Sequence, residues 1–499
     1  MLRLLAGISA GVVACAVTSG ALTRGEEGAA SPAPTRPLLV RGGLPASERP
    51  SYGGTLVAEL GELEEAWQPR LPASRGLDAE LSSVTSETLV RLDERGEPQP
   101  WLAESWERDA TMKKWKFHLR PGVKFHDGTP LAPQTAIEAL HRPDLRPTAT
   151  SDGFQVELPQ PSPTLPADLT LRTARLFRMV NSGEQGTGPF RVDTWDFQKA
   201  GGRITMSANA EYWGGRPFVD AVDVRLDRTA RDRLIDLQVG KADVIEIPAE
   251  MARRASDEKI RVESTPPVEL LMLVFRYDSA ASANVRLREA LSHAIDRAAI
   301  VNLVLQKEGE AASGLLPQWI SGTEFLHPDP SDPAAARALV NEIGPAATLV
   351  LSYYSDDELQ KAAAERIAVN AREAGIVINL RAIPSSQTEK LGQKDRTIAD
   401  AYLMRIDLRS PLARLALAGV LVDLNGFIDK EDIALDESSD ATTVYEREKS
   451  VLESYRVIPI AHLPRVYGLG PRVRNWSMPP GAAMNGLPLA DVWLEREAQ

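Results

Sequence analysis

The stretch WKFHLRPGVKFHDGTPL, Trp115 to Leu131, gathers two histidines, an aspartate, two lysines and an arginine. Two imidazoles beside a carboxylate could move a proton or begin a metal site. The spacing argues against both. Trp115, Phe117 and Leu119 alternate with Lys116, His118 and Arg120, the period of a half-buried strand. Pro121–Gly122 and Asp127–Gly128 are turn signals. The stretch therefore reads as a β-hairpin running into a helix near Ala132–Leu140, with His118 and His126 on its wet face. The remaining histidines, His141, His293, His327 and His462, are scattered, and no pair stands at i, i+4 on a helix. No G-x-S-x-G elbow, phosphate loop or dinucleotide fingerprint occurs. GTGPF at Gly186–Phe190 leads into a strand, so it lacks the helix N-terminus an anion needs. Glu64–Glu65 and Asp356–Asp357 are sequence neighbours whose side chains diverge, and they read as solvated. These observations predict a protein that is not an enzyme and has no metal or cofactor.

The elements that would carry any site fit a large folded body. The chain has 499 residues, enough for two or three structural units, with 43% hydrophobic and 25% charged residues. A net charge of -12 gives no basic footprint for nucleic acid. The one cysteine, Cys15, excludes an internal disulfide and a Cys-based zinc site. It closes a signal-like segment: Arg3, then an apolar run from Leu4, then VVAC, which resembles a lipobox whose cysteine is lipidated. Residues 1–22 are read as a lipoprotein signal. An uncleaved anchor helix and an ordinary secretory signal are the alternatives. All three place the body outside the cytoplasm. Residues 23–51, rich in Gly, Pro, Ala and Ser, read as a disordered tether.

Along the body, AELSSVTSETLVRLD reads as helix then strand, and VDAVDVRL reads as a strand. TARDRLIDLQVGKADVIEI reads as helix, glycine stop and strand. Asn284 is a plausible N-cap for one helix reaching Leu305, with Leu287, Leu291, Ile295 and Ala298 as its apolar stripe. Asp332, Pro333 and Gly344 punctuate another helix. ATLVLSYY, DELQKAAAERIAVNAREAG and IVINLRAI form a βαβ unit with parallel strands. The class is α/β.

Five segments then resemble, in order, the extracellular solute-binding proteins of family 5, the oligopeptide, dipeptide and nickel receptors of ABC importers. They are Glu87–Pro133, GTGPFRV with ANAEYWGGRPFVDAVDVRL, NVRLREALSHAIDRAAIV, DPAAARALVNEIG and RVIPIAHLP. The resemblance implies a two-lobed periplasmic-binding-protein-like fold of type II, cluster C, with an extra subdomain in the first lobe. Lobe I would take residues 52–270 plus 459–499, with the subdomain at about 86–187, and lobe II residues 271–458. It also implies capture of a peptide or similar small solute between the lobes and delivery to ABC permease subunits. The chain would act as a monomer tied to the membrane through lipidated Cys15, with nucleic acid excluded.

In that family an aspartate in a W-x-A-D segment pairs with the peptide's α-amino group. Here the segment is LMRIDLRSP, so Asp407 matches the aspartate, while Met404 or Arg405 stands where tryptophan is usual. Strand alternation puts Arg405 on the face of Asp407, where it can neutralise the carboxylate. That leaves room for an acidic ligand, or for an Arg–Asp pair with no ligand. Arg409 flanks the aspartate too, and Arg276 replaces the family's usual asparagine. Asp407, Arg405 and Arg276 are the candidate ligand-binding residues. The segments 140–186 and 407–445 are shorter than usual in the family, which supports an alternative: a non-transporting surface sensor or structural protein on the same fold.

Overall fold

The computed structural model describes residues 50–61, 79–93, 96–142, 144–180, 183–196, 202–226, 228–323, 331–344, 348–384, 399–408, 410–428, 435, 439–478 and 486–495. Cys15, the signal segment, most of the tether, Glu64–Glu65, His327 and Arg409 lie outside these residues.

Two large mixed sheets carry the fold. In the first, the strands lie side by side as Phe190–Asp196, Arg203–Ala208, Ala221–Arg225, Thr55–Glu59, Val244–Ile247, Val466–Leu469 and Arg261–Ser264. Thr55–Glu59 runs parallel to both of its neighbours, which buries Leu56 and Ala58 at its centre. In the second, the order is Glu310–Ala311, Val457–Leu463, Glu269–Phe275, Ala401–Asp407, Thr348–Tyr354 and Val377–Ile383. Two adjacent inner strands, ELLMLVF and VIPIAHL, are buried at every position. Such continuous apolar runs fit strands covered on both faces. Leu271, Leu273 and Phe275 pack with the helices Val285–Ala294 and Glu358–Glu373. Leu270, Met272 and Val274 pack with Ala413–Asp423 and Ala441–Glu453.

The chain passes between the sheets twice, from Ser264 to Glu269 and from Leu463 to Val466. Thr265 N–H donates to the Arg465 carbonyl, and Arg465 N–H to Thr265 Oγ1, each at 2.9 Å. The boundaries drawn from sequence, 270/271 and 458/459, therefore fall inside strands that belong whole to the second sheet. Strand polarity has no punctuation there, because VIPIAHLPRVYGL reads as one apolar run.

Local chemistry explains the helices. Asn284 accepts from the N–H of Arg286 and Leu287, Asp332 from Ala334 and Ala335, and Asp357 from Gln360. Gly344 ends its helix at φ 87°. The parallel βαβ unit forms from Thr348–Tyr354, Glu358–Glu373 and Val377–Ile383. The helix expected to run from Asn284 to Leu305 instead breaks after Ala294. Asp296 re-caps the chain by accepting from Ala299 N–H, its own N–H turns to Asn370 Oδ1 at 3.3 Å, and Ala298 is exposed rather than in the apolar stripe.

The expected Trp115–Leu131 hairpin is corrected too. Lys114–Leu119 pairs with Ala103–Arg108 on one side and Gly153–Glu157 on the other, so both of its edges are taken. Val123–Leu131 closes on itself, with Phe125 N–H on Thr129 O at 2.8 Å and Leu131 N–H on Val123 O at 2.9 Å. His126 is not on a wet face. Its Nε2 lies 3.0 Å from Gly188 O, and burial lowers its pKa. This four-stranded unit is joined to the first large sheet by Glu87. That buried carboxylate accepts from Trp101 Nε1, Tyr212 Oη, Thr187 Oγ1 and Trp213 Nε1 at 2.7–2.9 Å. Gly186 packs so closely that a Cβ there would sit 2.0 Å from Thr85 O.

Candidate functional site: an ionic cluster at the crossings

The antiparallel register sets Asp407 opposite Glu269 and Arg405 opposite Leu271. Arg405 and Asp407 are two residues apart on a strand and share a face. Arg405 Nε donates to Glu269 Oε2 at 2.7 Å, and its Nη1 lies 3.5 Å from Asp357 Oδ2. Asp407 Oδ1 accepts instead from Arg465 Nη2 at 2.9 Å, while Arg465 Nε stands 3.6 Å from Glu269 Oε1. Arg465 belongs to the second crossing, and Glu269 opens the strand that follows the first. The cluster thus sits where the two sheets join.

Burial dominates its electrostatics. Glu269 is 6% exposed, and desolvation raises its pKa. Arg405 and Arg465 oppose that rise, and Asp407 adds to it. Glu250, from the short turn Ala249–Met251 of the first sheet's side, also has its pKa raised by desolvation, with Arg405 opposing and Asp357 and Glu358 adding. Among the described residues, Glu250, Glu269, Asp357 and Asp407 therefore gather around Arg405 and Arg465, with Glu246 and Glu358 adding negative charge nearby.

The structure places Arg405 and Asp407 together and Arg276 elsewhere. Arg276 lies beyond the other end of the Glu269–Phe275 strand, with its N–H on Asp400 O at 2.9 Å and its Nε on Asp278 Oδ1 at 2.5 Å. Seven residues of extended chain separate it from Glu269, roughly 23 Å. Sequence reasoning missed Glu269, Arg465, Glu250 and Asp357. The signal for Glu269 is a lone carboxylate opening an otherwise apolar strand, while the Asp356–Asp357 pair reads in sequence as solvated. A second ionic contact spans the fold: Arg414 Nη2, from the helix Ala413–Asp423, bonds Asp168 Oδ1 and lies 3.5 Å from Thr164 Oγ1. Both partners are mostly buried, with side chains 13% and 11% exposed. Among the described residues, no group of three or more His, Cys, Asp and Glu could hold a metal ion.

Two mixed sheets joined by two short crossings, with buried charge at the junction, define a two-lobed solute-binding fold. Residues 97–413 match the family model for the middle region of bacterial extracellular solute-binding proteins, family 5, and the chain belongs to that family. Among its relatives, the heme-binding protein A of Haemophilus influenzae is 26% identical over 49% of this chain and 54% of its own. The dipeptide-binding protein of Escherichia coli is 26% identical over 49% and 55%. The chain thus spans about half the length of these two curated relatives. In structure, the Bacillus subtilis oligopeptide-binding protein AppA, in complex with a nonapeptide, superposes with a TM-score of 0.69 at 16% identity, covering 90% of this chain and 100% of its own. The Listeria monocytogenes substrate-binding protein CtaP gives 0.71 at 16% identity over 89% and 100%. The family consists of extracellular binding proteins. No described helix is long and apolar enough to cross a membrane.

Proposed function

We propose that the chain is the substrate-binding component of an ABC importer, which captures a peptide or similar small solute between its two sheet units and delivers it to permease subunits. The observation that carries this reading is the ionic cluster at the crossings. Groups from both sides of the junction, Glu250 on one and Arg405, Asp357 and Asp407 on the other, meet where closure would change their surroundings most. Domain closure around a ligand needs such differential contacts. The lobes divide at the crossings 265–268 and 464–465. Lipidation of Cys15 would hold the body at the membrane, and a Cys15→Ala chain that still incorporated palmitate would exclude it.

Asp407 and Arg405 are the ligand-facing residues in this reading, and Arg276 serves outside the cluster. Among the described residues of the cluster, carboxylates outnumber guanidiniums, which favours a ligand that brings positive charge over the acidic ligand that Arg405 alone suggests. Relatives named for dipeptides and nickel, and a solved structure holding a nonapeptide, support the class of cargo. Native mass spectrometry of protein purified without refolding tests the proposal. A co-purified solute mass is expected, together with a higher melting temperature on adding that solute. No bound mass, and no thermal shift with a mixed peptide library, would count against transport and return the sensor reading.

A further inference from the structure

Two arginines stand beside the Glu87 joint without a carboxylate of their own. Arg91 lies between the buried Val90 and Leu92 of a two-stranded ribbon, so alternation turns it to the other face. Its guanidinium carbon stands 4.0 Å from the centre of the Trp101 ring. Arg120 follows the buried Leu119, and its guanidinium carbon stands 4.7 Å from the centre of the Trp213 ring. The two rings are 4.7 Å apart and inclined at 72°. Their edges are fixed, because Trp101 Nε1 and Trp213 Nε1 donate to the two oxygens of Glu87 at 2.9 Å. Arg120 Nε donates to the Trp101 carbonyl at 2.8 Å. Both guanidiniums thus rest on one residue, Arg91 on the Trp101 ring and Arg120 on its main chain.

Neither is neutralised. Among the described residues, Arg91 makes no side-chain hydrogen bond or ion pair, and Arg120 makes only the bond to Trp101. A guanidinium carries five N–H donors, so nearly all of theirs are left over. None of these spare nitrogens is among the atoms buried without a partner, so each touches solvent. Both residues are nonetheless half-buried. Burial lowers the Arg91 pKa, and the like charge of Arg120 pushes it the same way. Glu87 and Asp491 favour its charged form, but neither lies within ion-pair distance of it. Glu87 is already taken up by its four donors.

A cation drawn out of water is costly unless an anion meets it. The tryptophan faces offset part of that cost. Stacking leaves the N–H edge of a guanidinium free, and that edge matches the oxygens of a phosphate. Rings inclined at 72° bring two such edges in from different directions. That suits a tetrahedral oxyanion better than a planar carboxylate, and two positive charges match a dianion.

We propose that Arg91 and Arg120 form a second ligand site, which takes a phosphate dianion between their guanidiniums. The site is independent of the transport reading, because it uses neither the ionic cluster nor the crossings.

The full chain is dialysed to equilibrium against ³²P-orthophosphate at pH 8, with sodium chloride holding the ionic strength constant. Saturable uptake is expected, and acetate should not displace it. Arg91→Gln should fold as the parent does, since Arg91 makes no hydrogen bond, and should weaken uptake roughly tenfold or more, as loss of a charge-assisted donor group does. Four results would each overturn the site: no saturable uptake, an Arg91→Gln chain that takes up phosphate like the parent, acetate that displaces the label as well as unlabelled phosphate does, or uptake that falls equally with Arg405→Gln, which would put the anion in the ionic cluster.

Discussion

Glu448 and His462 hold the same loop with opposite proton preferences, and that opposition can be measured. Glu448 is 1% exposed, and its Oε1 accepts from Leu315 N–H at 2.6 Å and Leu316 N–H at 3.1 Å. Desolvation outweighs those bonds and pushes its pKa up to about 7 from 4.5. His462, beside Gly314 and Leu315, is pushed down to about 4 from 6.5. A raised carboxyl contributes stability that is fully present below pH 4.5 and is lost as pH rises through about 7. A lowered imidazole contributes stability that is present above pH 6.5 and is lost as pH falls through about 4. Each displacement corresponds to about 3 kcal/mol across its window, or about 1.4 kcal/mol per pH unit. Between pH 4.5 and 6.5 the two slopes cancel.

Single substitutions should unmask them. Glu448→Gln keeps an acceptor oxygen for the two amides and removes the proton. Its stability relative to the parent should climb by about 1.4 kcal/mol per pH unit from 4.5 to 7. His462→Gln should show the reverse, falling relative to the parent by about the same slope from pH 4 to 6.5. The double variant should track the parent's slope between 4.5 and 6.5. Urea unfolding at half-unit pH steps reads these difference profiles, which remove the contribution of every other group. Two flat difference profiles would refute the assignment of buried, oppositely displaced groups to this loop.

Gly153→Ala would put a Cβ 1.9 Å from the Phe117 carbonyl inside the four-stranded sheet. It should lower stability by more than about 3 kcal/mol in urea unfolding, because backbone there cannot give way. Glu87→Ala strands four donors, two of them buried and two partly buried, and a loss of about 3–5 kcal/mol is expected in thermal or urea unfolding; a loss under about 1 kcal/mol would mean that the donors find other partners. Arg414→Gln leaves Asp168 buried without its guanidinium. The radius of gyration from small-angle scattering should rise as the contact between the helix Ala413–Asp423 and the Leu165–Asp168 turn loosens, and an unchanged scattering curve would show that this pair does not restrain the lobes.

Much of the fold was legible because its elements carry local punctuation. Asp332–Pro333 and Gly344, and Asn284, are caps whose chemistry acts within a few residues. Failures came where non-local pairing decided the outcome. Trp115–Leu131 has the alternation and turns of a hairpin, yet the edges of Lys114–Leu119 were claimed by strands on either side. The helix after Asn284 keeps its apolar stripe in sequence but breaks because Asn370, 74 residues on, takes the Asp296 N–H. The candidate site was half legible. LMRIDLRSP departs from its family at Arg405, which drew attention to the right strand. Its partners Glu269 and Arg465 stand 136 and 58 residues from Arg405 and Asp407, and only strand order brings them together.

The partner of Asp407 changes how the ligand should be sought. Arg405 was expected to neutralise it, but Arg405 is held by Glu269 and Asp357, and Arg465 reaches Asp407 through one oxygen only. A carboxylate accepts at two oxygens, so Asp407, whose side chain is 33% exposed, can keep Arg465 and still meet a ligand ammonium. Glu269 opposite it, and Glu250 beside Arg405, have raised pKa values because burial disfavours their charge. A cationic ligand favours the ionised form of both, so its binding must release protons, and its affinity must rise as pH rises through their titration. An anionic ligand would favour the protonated forms and lose affinity over the same range. Calorimetric titration of the co-purified solute at pH 5 and pH 8, in two buffers of different ionisation enthalpy, separates the cases by the sign of the proton count. Proton uptake on binding would overturn the cationic reading and restore the acidic ligand that Arg405 first suggested.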